Sequence, residues 1–277
     1  LPRLARDPVG TEANELFAAV AQTPAVQTLQ RRLEKGGAVS CTGVCPSAQP
    51  FLSALLRHLF PHRQIVIVTA GLKTQESFHQ DVATWLQVMG VRQQEGELPS
   101  TPTPTFPADK PLFYPAWETL PHEAKPPHAD VISERLETLI ALSHCMTRSQ
   151  APAPLLVANV VALLQRTFPP AQLKTRTRRL GRGERLDPLD LTEWLEEQSY
   201  EPEAQVTQKG EIALRGGILD VYPPTSPWPV RLEFFGSELE SLRYFDPLTQ
   251  ISREEIPAIT LPPAGELGIL TRQLPEG

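Results

Sequence analysis

Residues 211–250 read EIALRGGILDVYPPTSPWPVRLEFFGSELESLRYFDPLTQ, a run of three or four consecutive β-strands. Within it, VRLEFFG (230–236) alternates as a strand must, sending Leu232 and Phe234 one way and Arg231, Glu233 and Phe235 the other. The first set suits a core. The second sets a large aromatic beside a guanidinium, the pairing that dominates binding hot spots. In the strand before it, Ile212 and Leu214 alternate with Ala213 and Arg215, so a second arginine joins the same outward face. Such a face belongs to a protein-docking surface rather than a catalytic pocket.

Working outward, 277 residues are enough for two compact units with real cores, and 40% hydrophobic with 21% charged residues is ordinary globular composition. A net charge of −6 counts against a protein whose main business is coating nucleic acid. Cys41, Cys45 and Cys145 cannot close a disulfide framework, and neither a signal peptide nor a membrane-length apolar run is present. The expected setting is cytoplasmic, reduced and soluble, with no membrane partner. The leading Leu1 reads as the start of an excised or trimmed piece.

Strands and helices alternate along the first part. Ala38–Val44 reads as a buried strand, followed by a helix from about Ser47 to Leu59. Gln64–Ala70 is a second apolar strand, and Thr74–Met89 an amphipathic helix carrying Phe78, Val82, Trp85 and Leu86. Leu112–Trp117 is a third strand, Asp130–Cys145 a helix capped by Asp130, Leu155–Ala158 a fourth strand, and Val160–Leu164 a short helix. This order predicts an α/β fold: a parallel sheet with helices on both faces, shaped like half of a helicase-type nucleotide-binding domain. Glu97–Pro111, with five prolines, is a stiff exposed loop of polyproline character, either a docking peptide for a proline-reading domain or an insertion without a role. After Pro169-Pro170 the rhythm changes to α+β, with a basic strand (Leu173–Leu180), an Asp-capped helix (Asp190–Gln198) and the antiparallel run quoted above.

A helicase fold needs a phosphate loop where the first strand meets its helix. There backbone N–H groups cradle phosphates and a lysine reaches the terminal ones. This chain instead reads Thr42-Gly43-Val44-Cys45-Pro46-Ser47-Ala48-Gln49-Pro50. The lysine is absent, Pro46 and Pro50 each remove an amide donor, and no acidic box is present to hold magnesium. Loss of both charge-neutralising elements abolishes ATP hydrolysis, which leaves a scaffold with no catalytic residue, cofactor or metal of its own.

Other candidates carry less. Lys174, Arg176, Arg178, Arg179, Arg182 and Arg185 form a basic run. Three readings stand for it: a solvated edge strand, steering toward an acidic partner, or contact with DNA phosphates, the last two resting on Arg176, Arg178 and Arg179. His58 and His62 stand at i and i+4, but Pro61 interrupts them and no acid joins to make a zinc site. Glu118, His122 and Glu123 imitate an acid–base cluster, although Trp117 and Leu120 read as packing under the sheet before a turn at Pro121. For Arg215, Arg231 and Phe235 the structural alternative is that the Phe235 ring closes the domain core at a hairpin and the arginines pair with Glu211, Glu233 or Glu238.

Three blocks carry a family resemblance: Arg215-Gly216-Gly217-Ile218-Leu219-Asp220-Val221-Tyr222-Pro223, Arg231-Leu232-Glu233-Phe234-Phe235, and Phe245-Asp246-Pro247-Leu248-Thr249-Gln250. They closely resemble the module shared by the excision-repair protein UvrB and the bacterial transcription-repair coupling factor (Mfd). Upstream, WETLP (117–121) followed by PHADVISERL (127–136) is similar to the coupling factor rather than to UvrB. The resemblance covers about residues 36–262. It implies a helical lead-in at 1–35, a degenerate helicase-like α/β domain at 36–172 with no working phosphate loop, a smaller UvrA-interaction domain at 173–262, and a segment at 263–277 returning toward the first. It further implies that Arg215, Arg231 and Phe235 contact UvrA, and that the parent protein adds an RNA-polymerase-binding domain and an ATP- and magnesium-dependent translocase on double-stranded DNA. Two rivals remain: a UvrB-like ATPase or helicase fragment, and a module that binds DNA through the basic strand.

Overall fold

A computed structural model of the chain describes residues 8–88, 110–117, 127–145 and 153–271. In chain order the elements are α1 (Pro8–Ala21), α2 (Pro24–Lys35), α3 (Gln49–Leu59), β1 (Ile65–Thr69), α4 (Leu72–Val88), β2 (Leu112–Tyr114), α5 (Ala129–Cys145), β3 (Leu155–Asn159) and α6 (Val160–Leu164). They continue with α7 (Pro170–Thr175), β4 (Arg178–Gly181), α8 (Pro188–Glu197), β5 (Glu201–Pro202), β6 (Glu211–Arg215) and β7 (Ile218–Val221). The last are β8 (Val230–Phe235), β9 (Glu238–Phe245), β10 (Ser252–Glu255), β11 (Ala258–Leu261) and α9 (Leu267–Thr271). The fold is α/β. Two compact units form, the first holding described residues 8–88, 110–113 and 153–160, the second 114–117, 127–145 and 161–271.

In the first unit a three-stranded sheet has the order β1-β3-β2, with β1 and β3 parallel from Ile65↔Leu155 to Thr69↔Asn159. Every residue of β3 is buried, which is why its sequence is an apolar run rather than an alternation. On β1, at the sheet edge, burial alternates and Val66 and Val68 are exposed. Helical spacing brings Leu55 of α3 and Val82 and Leu86 of α4 into one core with Phe17, Leu155 and Val157. Phe51 stacks on Phe17 with ring centroids 4.9 Å apart and meets Trp85 edge-on at 5.0 Å. At the C-terminal ends of the parallel strands, Asn159 Nδ2 donates to Gln75 Oε1 (2.6 Å) and Gln75 Nε2 to the Val157 carbonyl (3.0 Å). Buried side chains there satisfy one another.

The strand expected over Ala38–Val44 does not form. These residues are irregular and largely exposed, with only Val39 and Val44 half-buried. Two valines among Ala, Ser, Cys, Thr and Gly bury too little apolar area to offset ordering a strand. A short 3-10 turn at Pro46–Ala48 leads into α3 instead, so the place of the phosphate loop is an exposed approach to a helix.

The second unit is built on a six-stranded sheet in the order β10-β9-β8-β7-β6-β5, antiparallel from β6 to β10 with β5 parallel to β6. One face carries Ile212, Leu219, Val221, Val230, Leu232 and Leu242 into a core shared with Leu191 and Leu195 of α8, and with Leu180, Ile259 and Leu261 of the β4–β11 pair. Leu173 lies in α7 rather than in a basic strand: Pro170 takes a first-turn position, where its missing N–H costs nothing, and the strand shortens to Arg178–Gly181. By the same logic Pro188 opens α8. The cap is therefore Asp187, whose side chain accepts from the Leu189 amide at 2.8 Å, and Asp190 sits inside the first turn. Asp130 likewise lies within the first turn of α5 rather than capping it.

Arg135 of α5 is fully buried with Glu266, its Nε donating to Oε2 at 2.7 Å. Its other N–H groups donate to the Pro115 carbonyl (2.8 Å) and to Tyr114 Oη (2.7 Å). The Tyr114 and Trp117 rings lie 4.3 and 4.6 Å from its guanidinium carbon. Trp117 therefore serves as a wall for an arginine, while Leu120 and Pro121 fall outside the described residues.

Between β9 and β10 the chain turns through Asp246–Ile251. Asp246 Oδ1 accepts from the amides of Leu248 (3.0 Å) and Thr249 (3.1 Å), and Oδ2 from Arg253 (2.8 Å). The Thr249 amide, then Arg253, then the Leu248 amide hold its carboxyl below the usual carboxylate range. Gln250 completes the turn in the left-handed conformation (φ 61°).

Arg135→Met leaves Glu266 buried without its cation and is expected to destabilise the second unit by about 3–5 kcal/mol, with part of the loss recovered in Arg135→Met/Glu266→Leu; urea unfolding measures both. Asp246 titrates lower in the folded chain than in the unfolded one. Its contribution is thus complete above the unfolded value, about 4, and is lost as pH falls through the folded one. The protection of the Leu248 and Thr249 amides, taken as the ratio of intrinsic to observed exchange rate at each pH, is expected to fall in that acid window.

Candidate protein-docking site

Two tight hairpins turn at the same end of the six-stranded sheet. Gly216-Gly217 joins β6 to β7 with Arg215 opposite Ile218, and Gly236-Ser237 joins β8 to β9 with Phe235 opposite Glu238. Gly216 has φ 62°, and a Cβ on Gly217 would lie 2.8 Å from the Phe234 carbonyl oxygen, so both positions demand glycine. The close approach is used: the Phe234 amide donates to the Gly217 carbonyl at 2.7 Å and locks the two hairpins side by side. Phe234 packs against the core. Phe235 stands out with 77% of its surface exposed, and Ile218, at the start of β7 opposite Glu233, is also exposed.

The arginines meet on β7. Asp220, wholly buried, lies directly opposite Arg231 on β8 and Ala213 on β6, so Arg215, two residues beyond Ala213, reaches it diagonally. Arg231 grips the carboxylate through two bonds, Nε to Oδ1 at 2.7 Å and Nη2 to Oδ2 at 2.8 Å. Arg215 donates one bond, Nη2 to Oδ2 at 2.8 Å. Arg231 is held further by the Gln250 carbonyl (3.4 Å) and by the Phe245 ring, 4.7 Å from its guanidinium carbon. Its hydrogen bonds to Asp220 raise its already high pKa. The Arg231 side chain is only 16% exposed, whereas that of Arg215 is 52% exposed.

The acids considered as partners in the sequence are engaged elsewhere. Glu211 accepts from the Thr207 and Gln208 amides, Glu233 from Ser241 Oγ, and Glu238 from Arg185. Asp220 and Gln250 are the participants that residue patterns missed. The available signal was an acid inside the apolar strand ILDV, flanked in space by two arginine-bearing strands.

The basic run is divided among local tasks. Arg176 donates to Gln198 Oε1 (2.9 Å), Arg178 lies over the Trp194 ring, Arg182 pairs with Glu255 and Arg185 with Glu238. Arg178 and Arg179 are exposed on β4. Glu118, His122, Glu123 and most of the proline-rich segment lie outside the described residues. Among the described residues no group of three or more His, Cys, Asp or Glu is placed to hold a metal ion, and no helix is long and apolar enough to cross a membrane.

Residues 179–267 match the family model of the UvrB interaction domain. The chain is 41% identical over 150 residues to the transcription-repair-coupling factor of Escherichia coli K12, a stretch covering 54% of this chain and 12% of that protein. It is 37% identical over 154 residues to the factor of Haemophilus influenzae and 34% over 157 to that of Bacillus subtilis, in each case 56% of this chain and 13% of the relative. The matched stretch is thus a small part of each relative's length. The resemblance carried by the sequence blocks is borne out: residues 179–267 match the UvrB interaction domain, and the chain is similar to part of the transcription-repair-coupling factors.

Proposed function

We propose that this chain is the UvrA-recruiting part of a transcription-repair-coupling factor, acting in the cytoplasm in nucleotide excision repair by presenting a UvrB-like surface to UvrA. The observation that carries the reading is Phe235: a phenylalanine 77% exposed on a locked hairpin, at the same end of the sheet as a half-exposed arginine held by a buried acid. An exposed ring on a rigid strand end costs solvation and gives the fold nothing, which fits an anchor held ready for a partner's apolar notch. Arg215 supplies donors for a partner carboxylate, and Arg231 supports it from the neighbouring strand. Arg176, Arg178 and Arg179 belong to a basic edge that steers an acidic partner at most. In this reading the first unit is a non-catalytic scaffold that takes no nucleotide. ATP, magnesium, RNA polymerase and double-stranded DNA belong to other parts of the parent, an ATP-driven translocase.

Arg215→Ala and Phe235→Ala are each expected to leave the thermal transition in place and to weaken capture of purified UvrA by about tenfold or more. Wild-type affinity in both variants removes the assignment. Titrating ATP and magnesium into the chain is expected to give no binding heat in calorimetry; a saturable isotherm favours the UvrB-like ATPase reading instead.

A further inference from the structure

The two arginines are not equivalent, and the difference lies in how they share one acid. Asp220 is fully buried and carries a single negative charge against two guanidiniums, so the trio holds one positive charge in excess. Arg231 takes both carboxylate oxygens and is itself mostly buried, with Gln250 and Phe245 closing around it. Arg215 shares only Oδ2 and is half-exposed at the hairpin end. Other charged residues on this face include Glu233, which accepts from Ser241 Oγ at 2.5 Å, Arg243, which faces Arg231 across the β8–β9 ladder, and Glu255, which faces Arg243 across the β9–β10 ladder. None of the three is hydrogen-bonded to Arg215 among the described residues. The excess charge therefore emerges at Arg215, on the same sheet end as Phe235.

We infer that Asp220 is a positioning residue of the docking site: from the middle strand it fixes the pose of the Arg215 guanidinium at the sheet end that also carries Phe235, with Arg231 as its buried counter-cation, so that Arg215 meets a partner carboxylate already ordered. This rests on the docking role proposed above and names the residue on which its geometry turns. An exposed arginine ordinarily loses side-chain entropy when it is immobilised by a partner. A bond to a buried acid meets part of that cost during folding. The partner group it fits is an acidic side chain placed next to an apolar notch.

The test uses the chain itself with four affinities for purified UvrA: wild type, Asp220→Asn, Arg215→Ala and the double variant. Thermal melts fix an assay temperature at which all are folded. In parallel, ¹⁵N relaxation of the arginine side chains is measured on the free protein. In the wild type the Arg215 guanidinium is expected to be more ordered than that of the exposed Arg179. In Asp220→Asn it is expected to lose that order while UvrA binding weakens by about tenfold. Adding Asp220→Asn to Arg215→Ala is expected to cost less than about twofold, since the two act as one unit. Equal costs in both backgrounds, or an Arg215 that stays ordered without the carboxylate, overturn the inference. An Arg215 as mobile as Arg179 in the wild type overturns it even if Asp220→Asn does not fold. Should Arg215→Ala and Phe235→Ala both bind UvrA normally, the docking role itself fails, and the relaxation data still report whether Asp220 holds the arginine.

Discussion

A carboxylate buried in the middle of a sheet must be compensated, because an isolated charge in a low-dielectric interior is far costlier than any contact it could make. Asp220 meets that condition by drawing one arginine from each neighbouring strand onto its two oxygens. The same constraint organises its surroundings. Arg231 is committed inward and needs the Gln250 carbonyl, and Gln250 reaches that place only because Asp246 closes a tight turn before it. The turn, the central strands and the hairpin edge are therefore linked through a chain of charge-assisted bonds. The opposite face of the sheet, packed on α8 and the β4–β11 pair, supplies the rigidity that makes such placement reproducible.

A surface of this kind differs from a catalytic pocket in what it leaves open. Asp220, Arg231 and Glu233 are hydrogen-bonded on it, Arg243 Nε is buried without a hydrogen-bond partner, and the exposed Phe235 ring lies on a hairpin fixed by the Phe234–Gly217 hydrogen bond. In the first unit the approach to α3 is exposed and irregular, and at the strand ends Asn159 donates to Gln75.

Much of this was legible in the residues. Alternation in VRLEFFG correctly put Phe234 in the core and Phe235 outside, since a strand's period of two leaves no choice once Leu232 is buried. The apolar run of β3 and the helical spacing of Phe78, Val82 and Leu86 gave the first unit its elements. Failures came where a local pattern was too weak or a proline shifted it. Ala38–Val44 lacked the apolar area for a strand, and Pro170 and Pro188 each set a helix start where polar residues suggested otherwise.

By itself, then, the sequence determined which strands exist, which way their side chains face, and that an arginine–phenylalanine surface is presented, because these follow from periodicity and steric preference within a few residues. Only the tertiary structure decided who holds the arginines. Like Glu211, Glu233 and Glu238, Asp220 is near them along the chain, 5 residues from Arg215 and 11 from Arg231, and what selects it is strand register, which sets it opposite Arg231 and diagonal to Arg215. It also buried Arg135 against Glu266, 131 residues away along the chain. Such pairings depend on how distant segments are brought together, and local composition carries no record of that distance.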